Sequence, residues 1–496
     1  MRLIVVSNRL PVAMEKDEMG QWRAKPSSGG LVTALAPVLK GRGGLWIGWS
    51  GTSEAPEEAL KKAMSEASAF AGIDFEAVQL TSPEVDKYYA GFSNEILWPL
   101  FHDMAGRCNF DPEYWASYQA VNRKFAAKIL DRLRPDDYVW IHDYHLMCVG
   151  QALREMGVKE RIGFFLHNPF PSPDIFLQLP WGLEILKALL SFNLIGLQTM
   201  RDQRNFIQCV RKHMMDTTVQ GSGQIITLFF DNRAVRVGAL PIGIDYHDFA
   251  TSAAAREVAE KAWYIHEKHP ERQIILGIDR LDYTKGIPER LKAYGYALTA
   301  YPELGGKIVL VQIVVPSRRD IREYEDLKKE IESLVGKING EFGRFDWTPI
   351  HYFFRALSRE ELLAYYRTSE IALITPLKDG MNLIAKEFCA ASLERNSVLI
   401  LAESAGAADQ LYEGALMVNP NDQKAIAEAI YQAYKMPFEE RSERMDRLRN
   451  IIRETDIHWW VNSFLKASFA ENIDYFNKVE DYRPQIDFGE PPIQQT

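Results

Sequence analysis

Short, continuous runs of apolar and β-branched residues punctuate the chain at positions 3–6, 138–141, 161–166, 194–197, 235–240, 274–278, 308–315, 371–374 and 398–401. They do not alternate with polar residues, so each suits a strand buried on both faces of a parallel sheet. Between them lie stretches with apolar residues three and four apart, such as Ile321, Tyr324, Leu327, Ile331, Leu334 and Ile338, with Lys and Glu elsewhere. That is the pattern of a helix with one buried and one solvated face. Strands alternating with helices predict an α/β, doubly wound architecture. Roughly ten strands exceed one comfortable open sheet, so two Rossmann-like domains are expected.

The seam is placed at residues 241–246 (PIGIDY), where an apolar run ends in Pro and Gly and a charged helical stretch follows. This divides the chain into an N-terminal domain, 1–240, and a C-terminal domain, 241–455. The helical segment 456–482 carries Trp459, Trp460, Phe464, Leu465 and Phe469. That stripe reads as packing, since large aromatics are usually buried, and it is expected to pack back across the first domain. The segment 483–496, with Pro484, Pro491 and Pro492, reads as a mobile tail.

Composition narrows the function classes. The 496 residues are 47% hydrophobic and 25% charged, and 58 Lys+Arg against 67 Asp+Glu leave a net charge of −9. A mildly acidic chain argues against a nucleic-acid or anionic-membrane surface. No apolar run approaches the ~18–20 residues that span a bilayer, and the opening MRLIVVSNRLP is too short in apolar residues for a signal peptide. Cys108, Cys148, Cys209 and Cys389 lie in no metal-ligand or disulfide-scaffold spacing. Free thiols and a cytoplasmic location are expected.

In open parallel sheets ligands bind beyond the carboxyl ends of the strands. Those ends carry Asn8 and Arg9, His142–Asp143–Tyr144–His145, His167, Arg280 with Lys285, Arg318 with Arg319, and Asp379–Gly380–Met381–Asn382. Several cations and His/Asp residues at one edge imply an anionic, polyhydroxylated ligand, and arginine suits phosphate because its planar fork donates paired hydrogen bonds. Gly29 and Gly30, in SSGGL ahead of a helical pattern, permit close backbone approach to an anion. They form neither a dinucleotide fingerprint nor a Walker loop. His142, Asp143 and His145 raise the question of a metal, but neighbours on an extended segment point to opposite faces, so no metal and no cofactor are expected.

The motifs SNRLP, SGGL, GLWIGWSG, YYAGFSNEILWPLFH, WIHDYHL, RIGFFLHNPFP, RLDYTKG, PSRRD and DGMNLIAKE together resemble the trehalose-phosphate synthase family, in family order from residue 4 to about residue 425. The resemblance implies a GT-B fold, in which two Rossmann-like doubly wound domains face each other across a cleft. It also implies a retaining transferase that moves glucose from a nucleotide-glucose, UDP-glucose first, to glucose 6-phosphate. Carried over by position, Arg9, Tyr89, Trp98, Asp143 and Arg318 match the acceptor site, with Trp46 a weaker candidate. Arg9 and Arg318 would clamp the acceptor phosphate. Gly29, Gly30, His167, Arg280, Lys285, Asp379 and the following Gly380, Met381, Asn382, Leu383, Ile384, Ala385, Lys386 and Glu387 match the donor site, with Glu387 on the ribose. No carboxylate pair stands out for a double displacement, and the resemblance implies a front-face mechanism in which the departing phosphate oxygen takes the acceptor proton.

Arg319 and Asn168 depart from the family pattern. A related transferase with another phosphorylated acceptor, such as glycerol 3-phosphate, and a non-catalytic sugar-phosphate sensor stay open as alternatives. A phosphatase on a separate chain is the expected pathway partner; a homo-oligomer stays open.

Overall fold

The apolar runs assemble into two sheets. The computed structural model describes residues 2–17, 20–26, 35, 39, 44–317 and 322–470. Its strands, in chain order, are β1 (Leu3–Arg9), β2 (Val12–Lys16), β3 (Trp22–Pro26), β4 (Leu45–Trp49), β5 (Asp74–Val78), β6 (Tyr138–His142), β7 (Ile162–Phe165), β8 (Leu194–Leu197), β9 (Thr218–Gln220), β10 (Ile225–Phe230) and β11 (Arg233–Ala239). There follow β12 (Gln273–Arg280), β13 (Ile308–Val315), β14 (Ile350–Phe353), β15 (Ile371–Ile374), β16 (Val398–Ala402) and β17 (Leu416–Val418).

The first sheet has the order β5-β4-β1-β6-β7-β8-β11-β10-β9 and the second β14-β13-β12-β15-β16-β17, with β2 and β3 forming a separate hairpin. The first is parallel from β5 to β11 and ends in the antiparallel β10 and β9. The second is parallel throughout. The central strands are buried along nearly their whole length; β1 exposes only Arg9 and β12 exposes Arg280 at its end. Helices covering both faces explain why these strands read as unbroken apolar runs. The Arg322–Phe342 helix buries Tyr324, Leu327, Ile331 and Ile338 in the core of the second sheet.

The winding reverses once between β1 and β8 of the first sheet and once in the second. From β1 the chain runs outward to β4 and β5, then returns to β6 on the other side; β12, β13 and β14 run one way and β15, β16 and β17 the other. The crevices between β1 and β6 and between β12 and β15 are therefore the two switch points, where such sheets bind ligands.

The chain crosses between the sheets twice. It leaves β11 through residues 241–246, and after the Phe438–Glu454 helix it returns as the Ile457–Phe469 helix. The crossings are tied where Ile457 N–H donates to Ile244 O at 2.9 Å. Trp460 and Phe464 of the returning helix are fully buried on the first sheet, Phe464 stacked on Trp140 at 4.2 Å between centroids. Gly196 of β8 makes room for it, since a Cβ there would meet the Phe464 ring at 2.8 Å. Ser468 closes the contact through Tyr138 Oη at 2.6 Å. Residues 471–482 of the C-terminal helical segment and the segment 483–496 lie outside the described residues.

Candidate active site at the two switch points

Arg9 ends β1 and His142 ends β6, so the first switch point is flanked by Arg9 on one side and Asp143 on the other. Asp143 has φ 76° and ψ 165°, a conformation a non-glycine residue adopts only when its surroundings hold it. Here Asp143 N–H donates to Phe165 O at 2.7 Å, and its Oδ1 accepts the His167 backbone N–H at 3.3 Å. Burial pushes its carboxyl up to about 6, against the pull of the Tyr144 and His167 amides and of Arg280 from the other domain.

An unusual helix builds the wall beside Asp143. Val85–Leu97 is a π-helix, a form that clusters at functional sites. It presents Tyr89, whose ring stacks on His145 at 5.9 Å, and Tyr88, whose hydroxyl donates to Asn8 Oδ1 at 2.9 Å. The Arg9 guanidinium lies over Trp49 at 4.2 Å and over Tyr89 at 5.4 Å, so its direction is set by two aromatic faces. Trp98 is buried against His102 at 4.3 Å and Tyr144 at 5.9 Å, and shapes the wall from behind.

Trp46 corrects the sequence reading. It lies on β4, fully buried, with its indole N–H donating to Ser7 Oγ at 2.8 Å, and has no surface to offer a ligand. Trp49, three residues on and on the opposite face of β4, packs against Arg9 instead. Sequence reasoning overlooked it, although the alternation of faces along GLWIGW was the available signal.

The second switch point is ionic. Lys285, in the turn after β12, forms an ion pair with Asp379 after β15 at 2.5 Å. Burial alone would raise the Asp379 carboxyl, but Lys285 overrides it and holds the group below the usual range. Arg290, which sequence reasoning missed, lies beneath. Fully buried, it pairs with Asp279 at 2.5 Å, donates to Thr375 Oγ1 at 3.1 Å and reaches Lys285 O at 3.4 Å. It ties the β12 end, the Lys285 turn and the β15 end together.

Asn382 has φ 74° and caps the Leu383–Ala391 helix, its Oδ1 accepting Ala385 N–H at 3.2 Å while its amide donates to Asp379 Oδ2 at 3.1 Å. The helix N-terminus thus sits beside Asp379, with a positive dipole end suited to an anion. Glu387 accepts the Tyr366 hydroxyl at 2.8 Å, and burial raises its carboxyl. Leu383 and Ile384 are half-buried in the first turn. The side chains of Met381, Ala385 and Lys386 are buried in the protein, so these positions offer a ligand backbone and not side chain. Lys386 Nζ donates to Ile242 O and Gln410 Oε1, both at 2.7 Å, and burial brings its ammonium down to about 7.

The halves meet at Gly380, where a Cβ would fall 2.1 Å from His167 O, so the loop after β15 rests on the end of β7. An ion pair between Lys378 and Asp103 adds a second bridge. His167 is half-buried with Nε2 at 3.1 Å from His142 Nδ1, and burial lowers it to about 3. Asn168 beside it is buried. Gly29, Gly30, Arg318 and Arg319 lie outside the described residues. Among the described residues no group of three His, Cys, Asp or Glu side chains is placed to hold a metal, and no helix is long and apolar enough to cross a membrane. The four cysteines are free thiols. A groove of about 610 Å³ exists elsewhere, near the β5 edge, but Lys61, Lys128 and Arg132 on its walls are already ion-paired.

The arrangement sets a buried carboxylate and an aromatic-braced arginine opposite a cation pair and a helix N-terminus. Such a site can hold a hydroxylated, phosphorylated molecule on one side and a diphosphate on the other. Comparison with known proteins agrees. The profile described as Glycosyltransferase family 20 matches residues 1–469. The UDP-forming alpha,alpha-trehalose-phosphate synthase of Candida albicans is 40% identical over 95% of this chain and 98% of its own. The corresponding A protein of Dictyostelium discoideum is 42% identical over 94% of this chain, which spans 63% of that longer protein. Among solved structures, the Burkholderia xenovorans UDP-forming synthase in complex with glucose-6-phosphate superposes with TM-score 0.84 at 36% identity, covering 94% of this chain and 100% of the other. The E. coli protein bound with UDP-2-fluoro glucose gives 0.82 at 36%, covering 94% and 99%.

Proposed function

The chain belongs to glycosyltransferase family 20 and has the GT-B fold, and from that premise we propose that it transfers glucose from UDP-glucose to glucose 6-phosphate, forming trehalose 6-phosphate and UDP with retention at the anomeric carbon. The observation that carries this reading is the convergence of the two switch points, with the β15 loop resting on the end of β7 at Gly380 and His167 and Lys378 paired with Asp103 across the same junction.

Asp143 accepts an acceptor hydroxyl and orients it. Arg9, braced by Trp49 and Tyr89, meets the acceptor phosphate, and Arg318 of the second domain completes the clamp. Arg280 and Lys285 neutralise the diphosphate as the sugar–phosphate bond breaks, a charge-stabilising role that asks for no metal. Lys285 is paired with Asp379, so an incoming diphosphate competes with Asp379 for it. Amides of Leu383 and Ile384 at the helix N-terminus face the same charge, His167 touches the donor sugar, and Glu387 holds the ribose. The departing phosphate oxygen takes the acceptor proton on the face where the new bond forms. Both substrates are phosphorylated metabolites, which together with free thiols supports a cytoplasmic location. The product is a phosphate monoester, so a phosphatase must act next to release the disaccharide.

The test is a product assay crossing UDP-, GDP- and ADP-glucose with glucose 6-phosphate and glycerol 3-phosphate. The expected result is trehalose 6-phosphate, fastest with UDP-glucose. Preference for glycerol 3-phosphate would overturn the acceptor, and no transfer from any pair would overturn the reading as an enzyme.

A further inference from the structure

A second histidine lies directly behind His167. His142 is fully buried, its ring stacked on that of His167 at 5.3 Å between centroids with 25° between planes, and its Nδ1 is 3.1 Å from His167 Nε2. Its surroundings are aromatic: Trp140 at 4.8 Å, Trp460 at 6.3 Å and Phe165 at 6.4 Å between centroids. Burial disfavours the charged form of both rings, so one nitrogen of the facing pair donates and the other accepts.

Two arrangements exist, and the neighbours choose between them. His142 Nε2, Trp140 Nε1 and Trp460 Nε1 are all buried without a hydrogen-bond partner among the described residues, and the indoles are donors only. A proton on His142 Nε2 would gather three N–H groups and no acceptor in one aromatic pocket, an orphaning of donors that proteins avoid. A proton on Nδ1 leaves at Nε2 only a bare lone pair, which proteins tolerate more readily than a further orphaned N–H, and points the N–H at His167 Nε2.

We propose that His142 is a positioning residue: by donating Nδ1–H to His167 Nε2 it fixes His167 with its own proton on Nδ1, so that His167 meets the donor sugar as a hydrogen-bond donor. This rests on the reading that His167 contacts that sugar. The returning Ile457–Phe469 helix enters the site through Trp460, which closes the pocket around both rings. Asp143 belongs to the same unit, since it accepts the His167 backbone N–H. One strand end thereby sets the acceptor carboxylate and the state of the donor-side histidine together.

The experiment is nitrogen-15 NMR of the full chain with labelled histidine, the two signals assigned with His142→Asn and His167→Asn. Both rings are expected to be protonated at Nδ1; protonation of both at Nε2 overturns the proposal. In kinetics, His142→Leu removes the donor and should lower kcat by roughly 10–100-fold, as loss of an orienting partner does, with KM for glucose 6-phosphate within about twofold of the parent by the same reasoning that the acceptor side is untouched. His142→Asn, whose amide reaches the Nδ1 position, should restore most of that turnover. A His142→Leu enzyme as fast as the parent overturns the proposal, and so does a folded His142→Asn enzyme as slow as His142→Leu. If instead the parent chain transfers no glucose, the proposed function fails while the tautomer is still decided by NMR.

Discussion

The two switch points hold their functional groups by different means. At β1/β6 the groups are set by packing: Arg9 between aromatic faces, Tyr89 on His145, and Asp143 strained but pinned by backbone amides. At β12/β15 they are set by charge, with Lys285 on Asp379 and Arg290 on Asp279. Packing gives a site whose shape exists before the ligand arrives. A charge pair gives one whose cation is already desolvated and oriented when a diphosphate comes to compete for it. The contrast fits the proposed division of labour: the acceptor half must recognise a hydroxyl pattern, whereas the donor half must stabilise charge that grows during the reaction.

Breaking the charge-built half should give the largest effects. Arg290→Met leaves Asp279 buried without its partner, which should cost about 3–5 kcal/mol of stability, read as a lowered urea midpoint. Lys285→Ala should leave the fold intact and reduce turnover by ~10²–10³-fold, the usual loss for one preorganised charge-stabilising group. Near-normal turnover in a folded Lys285→Ala enzyme would remove this residue from the donor site.

The packed half should respond to pH rather than to charge deletion. Burial holds the Asp143 carboxyl up to about 6, so kcat/KM for the acceptor should fall as pH drops below that value and the carboxylate is lost. A phosphate monoester also titrates near pH ~6. In Asp143→Asn the protein's share of the acid limb should vanish and the substrate's remain; an unchanged profile would show that Asp143 does not titrate in the productive enzyme.

The joint between the halves should respond to pH through stability and not through turnover. Lys386 has its folded value brought down to about 7, below that of the unfolded chain. Its contribution to stability is therefore present above the unfolded value and is lost as pH falls through about 7. The urea midpoint of the parent should rise from neutral to alkaline pH relative to that of Lys386→Met; parallel curves would contradict a buried, titrating lysine.

Much of this plan was legible in the chain. Strands buried on both faces announce themselves as unbroken apolar runs, and the polar residues that end them, Arg9, Asp143 and Arg280, stand out by contrast. Of the strands that the runs did not mark, β10 is only partly buried, β9 is exposed and β17 is only three residues long, whereas β4, buried throughout, was missed because glycine interrupts its short apolar run. Within the site, facing was the obscure quantity. Trp46 and Trp49 share a motif yet lie on opposite faces of β4, and Lys386 and Glu387 are helix neighbours about 100° apart, one tied to the crossing at Ile242 and one to Tyr366. Arg290 was hidden because a buried cation in a helix looks like any charge on an amphipathic face until its partner Asp279 is known.

The central claim, that the packed half holds the acceptor and the charged half the donor, is tested most directly by titrating both ligands onto Arg9→Ala and Arg280→Ala. A lost charge-assisted contact should cost ~1.5–3 kcal/mol, or roughly ten- to a hundredfold in affinity. Arg9→Ala is predicted to lose glucose 6-phosphate by that factor and keep UDP-glucose, and Arg280→Ala to do the reverse. Equal weakening of both ligands by each variant, or the opposite pairing, would contradict the account.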